Sequence, residues 1–280
     1  MTTWSERLGT VGVWRGFTQV DAGFARGIEA IGYGALWLGY SPTADLDAAE
    51  LALDATDRLH VATGVVNIWK ADAAELAASF HRIEAKHPGR LHLGIGTGHR
   101  EATPERTRPL DAMRRYLDVL DAHDVPVGRR VISALGPRML ELAAERSAGT
   151  HPYLTVPGQT ADQRAALGSG ILVAPEQTVV LDPDRTSSRE AARTFLGRYL
   201  GMSNYTNNML RGGFTEADVA LPGSDRLVDD IIAQGDAPSL AARVREHLDA
   251  GADHVCVQVV PVHGDVLPAL AAVAGKLRLA

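Results

Sequence analysis

Short apolar runs alternate with segments of helical period along the whole chain. Thr10–Trp14 is a first apolar strand. Val20, Phe24, Ile28 and Ile31 then recur at helical spacing until Gly32 stops the helix. Ala35–Leu38 reads as a second buried strand, and a helix follows with Asp45 as its N-cap and Leu46, Ala49 and Leu53 on one face. Leu59–Val66, rich in β-branched residues and broken near its end by Gly64, is a third strand, followed by an alanine-rich helix over Ala71–Lys86. Leu91–Glu101 is a fourth strand that opens into a glycine-rich polar loop.

A helix over Glu105–His123 carries Leu110, Met113, Leu117 and Leu120 on one stripe. Val131–Ala134 is a fifth strand, and Leu135-Gly136-Pro137 leads straight into a helix over Arg138–Arg146, with proline suited to its first position. Strands six and seven fall at Gly149–Thr155 and Ile171–Leu181, the latter interrupted by Pro175, with a helix over Thr160–Leu167 between them. Helical pattern returns over Ser188–Leu200, Asp225–Ala233 and Ser239–Ala250, with a polar stretch at Ser203–Gly213. An eighth strand at His254–Val260 and a closing helix at Val266–Leu279 finish the chain.

Eight strands, nearly all followed by a helix, imply parallel pairing through right-handed crossovers. The expected fold is α/β: a single-domain (β/α)8 TIM barrel over residues 1–280, with a helical insertion at about 183–235 between strands seven and eight. A doubly wound open sheet is the competing topology.

Composition narrows the function classes. Hydrophobic residues make up 45% of the 280, enough for one large core, and the formal charge of -6 with mixed signs offers no nucleic-acid or anionic-membrane surface. The single cysteine, Cys256, allows no internal disulfide, and no apolar run approaches the about 20 residues needed to cross a bilayer. The expectation is a soluble cytoplasmic protein that works on a small molecule.

In a barrel the carboxyl ends of the strands line the active site. That rule nominates Trp14, Gly39 with Tyr40, Gly64–Asn67, Thr97–Glu101, Leu135 with Gly136, His151–Tyr153, Glu176 with Gln177, and Gln258. The set is rich in backbone, aromatic and amide groups. There is no paired-histidine metal motif, no nucleophile elbow and no phosphate-binding P-loop, and Cys256 lies inside an apolar strand. The glycines at 94, 96 and 98 match a dinucleotide fingerprint poorly, because Pro104 follows where a helix should open. Such a site suits an enzyme whose cofactor performs the chemistry. The Leu135-Gly136-Pro137 turn adds either an anion site at a helix N-terminus or an ordinary tight turn.

The ordered segments ATGVVN (62–67), LGIGTGHRE (93–101), ALGPRMLELAAERSAGTHPY (134–153), APEQTVVL (174–181), SDRLVDDIIAQGD (224–236) and AGADHVCVQV (250–259) carry a resemblance. Together they resemble the bacterial-luciferase-like superfamily, in the branch that uses the deazaflavin coenzyme F420. The resemblance implies an insertion after the seventh strand and a non-prolyl cis peptide in the third, which falls at Gly64–Val65. It implies that Gly64 and Val65 bulge against the cofactor ring, that Thr97 and Gly98 border it with Asn67 in the same cofactor site, that Leu135, Gly136 and Pro137 hold its phosphate, and that His151 and Pro152 line the channel. It also implies a homodimer packed through helices of the early βα units; the scattered histidines, by their spacing, already point to no metal.

The chain departs from the sugar-phosphate dehydrogenases of that branch. Tyr40-Ser41 stands where they have a histidine, and His99 where they have a glutamate, so their acid–base pair is not carried over. His99 is the remaining candidate proton donor, or else a polar loop residue without chemical role. Trp14, Tyr40 and Trp69 are candidates for shaping an apolar substrate pocket. The expected function is an F420-dependent oxidoreductase, with an FMN-dependent monooxygenase and a non-catalytic flavin- or deazaflavin-binding protein as alternatives.

Overall fold

The structure is a computed structural model that describes residues 3–99 and 108–279. Its strands are β1 (Val11–Gly16), β2 (Ala35–Gly39), β3 (His60–Thr63), β4 (Val66–Asn67), β5 (Leu91–Gly96), β6 (Arg130–Ile132), β7 (Gly149–Thr150), β8 (Leu172–Val173), β9 (Glu176–Leu181), β10 (Ala233–Gly235) and β11 (Val255–Val259). The helices are α1 (Trp4–Leu8), α2 (Ala22–Ile31), α3 (Asp47–Asp54), α4 (Ala73–Lys86), α5 (Pro109–Ala122), α6 (Pro137–Arg146), α7 (Pro157–Leu167), α8 (Arg185–Gly197), α9 (Ser203–Arg211), α10 (Glu216–Val219), α11 (Asp225–Ile231), α12 (Ala237–Asp249) and α13 (Leu267–Leu277).

All strand pairs are parallel, and the order runs β9–β11–β1–β2–β3–β5–β6–β7–β8, with β4 on β5. Because β8 and β9 are two halves of one strand around Ala174-Pro175, the ring closes through that segment. Leu172 pairs with Gly149 on one side, and Glu176 pairs with Cys256 on the other. The fold is a (β/α)8 barrel, with α8 to α11 and β10 filling the insertion between its last two strands. The helix expected over Asp225–Ala233 stops at Ile231, since Ala233–Gly235 pairs with β9 instead. Asp45 does not cap α3: the helix starts two residues later, and the Asp45 carboxylate accepts the Asp47 N–H at 3.0 Å.

Period-two alternation assigns each strand residue to a layer. Val11, Val13, Leu36, Leu38, Val61, Leu91, Leu93, Ile95, Val255 and Val257 face the helices and form the outer core. Trp14, Ala35, Trp37, Ala62, Val131, Leu172 and Cys256 belong to a second cluster inside the ring. Its axis is polar as well as aromatic. The Trp37 indole donates to His254 Nε2 at 3.1 Å, the His254 Nδ1–H donates to the Gly9 carbonyl at 2.7 Å, and His151 stacks on Trp37 at 4.2 Å. Helix α1, absent from the sequence reading, carries Trp4 to the Gly170 carbonyl and to the edge of His92.

The glycines of β5 acquire a packing reason here. At spacing two they share the inward face of the strand. A Cβ on Gly94 would lie 1.8 Å from the Thr63 carbonyl oxygen, and one on Gly96 would lie 2.7 Å from Val65 Cγ2. The third strand bulges inward between β3 and β4, and only glycine lets β5 run beside it.

Candidate active site

The Gly64–Val65 peptide is cis and lies at that bulge, on the carboxyl-end rim of the barrel. The Trp14 indole donates to the Gly64 carbonyl at 3.1 Å. Beside it, the Trp69 indole donates to the Thr97 carbonyl at 2.7 Å, and Asn67 Oδ1 accepts the Trp69 N–H at 3.0 Å. Gly98 adopts φ of 56° with its Cα facing Asn67, where a Cβ would meet Nδ2 at 2.6 Å. Asn67 is therefore buried support for the Thr97–Gly98 turn, while Gly64, Val65, Thr97, Gly98, Ser133, Leu135 and Gly136 remain half-exposed in a row. That row is an open shelf of mostly backbone across the ends of strands three, four and five.

The shelf ends at the N-terminus of α6. Gly136 is its N-cap and has no side-chain capping bond, Pro137 is its first residue, and a Cβ on Gly136 would meet open space. Arg211, from the end of α9, donates to the Leu135 carbonyl at 3.3 Å, adding a cation beside the uncapped N–H groups.

The opposite half of the mouth is closed by aromatic rings. Trp14 meets the half-exposed Tyr40 edge-on at 5.0 Å and Tyr153 at 5.6 Å. Tyr199 and Tyr205, both from the insertion, lie 5.5 and 5.9 Å from Tyr153. The Tyr153 hydroxyl donates to Gln258 Oε1 at 2.8 Å and lies 3.1 Å from the Tyr199 hydroxyl, leaving Gln258 Nε2 buried without a partner. Below them Glu176, 1% exposed, accepts from Thr178 at 2.6 Å while its Oε2 has no partner. Burial pushes its carboxyl up to about 8, so it is neutral through most of the physiological range.

His99 Nδ1 lies 3.1 Å from Asn204 Oδ1 on α9, and its ring is 5.0 Å from Tyr205. His151 is buried rather than on the shelf. Its Nδ1–H donates to the Ala174 carbonyl at 2.7 Å, Nε2 faces the Gly64 Cα without a partner, and burial lowers its pKa to about 4. Pro152 is buried beside it. Burial likewise raises the Cys256 thiol, as expected of a core residue. Glu101, nominated from the sequence, lies outside the described residues. Among the described residues no cluster of three or more His, Cys, Asp or Glu could hold a metal ion, and no helix is long and apolar enough to cross a membrane.

Sequence reasoning named the strand-end residues but missed Tyr199, Tyr205, Asn204 and Arg211. They come from the insertion, where no periodicity indicates which side chains fold back over the barrel.

Residues 21–123, which include the third strand and the glycine strand, match the family model described as luciferase-like monooxygenase. Across 96% of this chain and 98% of the other, the fold is similar to an F420-dependent secondary alcohol dehydrogenase in complex with an F420-acetone adduct (TM-score 0.73, 16% identity). The chain carries the luciferase-like fold. The luciferase-like barrel is also similar to the coenzyme F420-dependent tetrahydromethanopterin reductase of Methanopyrus kandleri (TM-score 0.70, 16% identity, 96% and 98% covered). A third similar structure is the oxygenating constituent of 3,6-diketocamphane monooxygenase from Pseudomonas putida, in complex with FMN (TM-score 0.63, 13% identity, 92% and 90% covered). No curated protein sequence matches the chain. The luciferase-like neighbours thus include both deazaflavin and flavin proteins.

Proposed function

We propose that the protein is an oxidoreductase that exchanges a hydride between coenzyme F420 and a small organic substrate. The observation that carries this reading is the half-exposed shelf that runs from the cis Gly64–Val65 peptide to the uncapped N-terminus of α6. A planar ring system fits a shelf of backbone and glycine, and a phosphate fits free N–H groups beside a guanidinium. Gly64, Val65, Thr97 and Gly98 would border the ring, with Asn67 holding their loop, and Leu135, Gly136, Pro137 and Arg211 would surround the phosphate. A bound deazaflavin supplies two-electron hydride chemistry. The chain's own residues bind it, orient the substrate and keep water out.

Trp14, Tyr40 and Trp69 would frame the substrate, with Tyr153, Tyr199 and Tyr205 excluding water behind it. His99 would handle the proton. With Nδ1–H donating to Asn204, Nε2 is left to accept a proton, or to give one when the ring is cationic. Dimerisation through the early helices belongs to the same reading and is checked by light scattering.

An FMN monooxygenase is the second reading, favoured by the FMN complex among the similar folds. Titrating the purified protein with each cofactor separates the two: tight F420 binding with weak FMN binding is expected, and the reverse order overturns the assignment. A substrate panel monitored at the deazaflavin absorbance band then separates an enzyme from a non-catalytic carrier. In an enzyme, His99→Ala lowers turnover while leaving cofactor affinity intact.

A further inference from the structure

Helix α8 presents two chemically different faces. On one, Arg185, Arg189 and Arg193 pair with Asp225 and Asp229 of α11. Arg189 holds Asp229 through two bonds, of 3.0 and 2.6 Å. On the other face, Ser187, Glu190, Ala191, Thr194 and Phe195 line a cavity of about 330 Å³ that continues to Arg198, just past the helix end. Its far wall is Val260, Pro261, Val262 and His263, at the carboxyl end of β11. That wall is held in place from β1 and the turn after it: Arg15 donates to the Gly264 carbonyl at 3.1 Å, and Gln19 to the Val262 carbonyl at 3.0 Å.

Arg198 differs from its three predecessors on α8. Among the described residues its guanidinium makes no ion pair and no hydrogen bond, its backbone N–H alone capping the helix, although acidic partners one face away engage the other arginines. It is close enough to Tyr40 to oppose the upward push that burial gives that hydroxyl. The acid in the cavity, Glu190, is eight residues earlier on α8, about 12 Å away along the axis at 1.5 Å per residue, and does not neutralise it. The cavity therefore offers an apolar floor of Phe195, Val260 and Val262, with one unpaired guanidinium at its Arg198 end.

We infer that this cavity is a binding subsite for an organic anion with an apolar body, whose carboxylate is held by Arg198 while the rest of the molecule lies on Phe195 and Val262. A guanidinium is suited to this because its planar fork matches a carboxylate bidentately. The volume suits a chain or ring of modest size. The subsite rests on the proposed oxidoreductase function only in being read as a substrate site; the binding itself requires no cofactor.

The test uses the cofactor-free full chain and two probes of nearly equal shape, hexanoate and hexanamide, titrated calorimetrically at low salt. Hexanoate is expected to bind roughly tenfold tighter or more. Arg198→Gln should abolish that preference, Arg185→Gln should retain it, and Val262→Trp, which fills the cavity, should remove binding of both probes. Equal affinity of the two probes for the wild-type chain overturns the inference, as does a preference that survives in Arg198→Gln or the absence of binding by either probe. Because no step involves F420, loss of the cofactor assignment with hexanoate selectivity intact would sink the hydride-transfer reading and leave the subsite standing.

Discussion

The Trp14 indole N–H and the Gly64 carbonyl oxygen form a 3.1 Å hydrogen bond that ties the first barrel strand to the bulge in the third. Trp14 can lie there only because Gly39 has no side chain, since a Cβ at that position would fall 1.9 Å from Trp14 Cζ2. Trp14→Phe removes the donor and should cost about 1–2 kcal/mol of stability in urea denaturation, with weaker cofactor binding at the adjoining shelf. Gly39→Ala displaces the whole indole and should cost more, about 1–3 kcal/mol or above. An unchanged cofactor affinity in both variants would separate Trp14 from the site.

Acid should destabilise the barrel from within. Burial lowers the pKa of His151 and His254 to about 4 and that of His247 to about 3. The unfolded chain therefore takes up protons that the folded chain refuses. The stability these histidines contribute should be full above about pH 6.5 and fall steadily from there toward pH 4. His247 bridges Thr160 and Gln177, at 2.8 and 3.0 Å. His247→Gln, which retains polar atoms at that place, should flatten the slope in a pH series of thermal denaturation, and an equal slope would contradict the assignment.

Glu176 has the opposite sign. Its folded carboxyl is raised to about 8 while the unfolded one titrates in the ordinary carboxylate range, so the folded state holds the extra proton. Stability from this group is present below the unfolded value and is lost as pH rises toward 8. Glu176→Gln keeps a neutral hydrogen-bonding group and should be increasingly stabilising relative to the parent between pH 5 and pH 8, by up to a few kcal/mol. A constant difference across that range would show that the carboxyl is ionised in the folded protein.

Arg211 joins α9 to the shelf through the Leu135 carbonyl. Arg211→Gln should weaken binding of the intact phosphate-bearing deazaflavin by about five- to thirtyfold. Its affinity for the deazaflavin chromophore stripped of the phosphate side chain should stay nearly unchanged. Parallel fluorescence titrations read both, and an equal loss for the two ligands would move the phosphate elsewhere.

The strands were legible in the sequence as short apolar runs, but both of their faces are buried, so only the structure shows that Val13, Leu36 and Val61 lie under helices while Trp14, Ala35 and Ala62 face the barrel interior. The barrel count and the insertion followed from the same pattern. The meaning of Gly94 and Gly96 was not legible. Their spacing resembled a phosphate loop, whereas the backbone of a neighbouring strand occupies the space their side chains would need. That contact joins residues about thirty positions apart, and no local periodicity records it.

The sequence by itself determined the eight barrel strands, most of the helices and the order in which they close, since these depend on local propensity and on which faces must leave water, but not α1 or β10. Only the tertiary structure decided that His151 lies buried beneath the shelf, that Asn67 supports rather than lines it, and that Tyr199, Tyr205, Arg198 and Arg211 return from the insertion to the barrel mouth. Those placements depend on how a long connection folds back across the ring. That is fixed by contacts such as the Arg189–Asp229 pair, between residues the chain separates by forty positions.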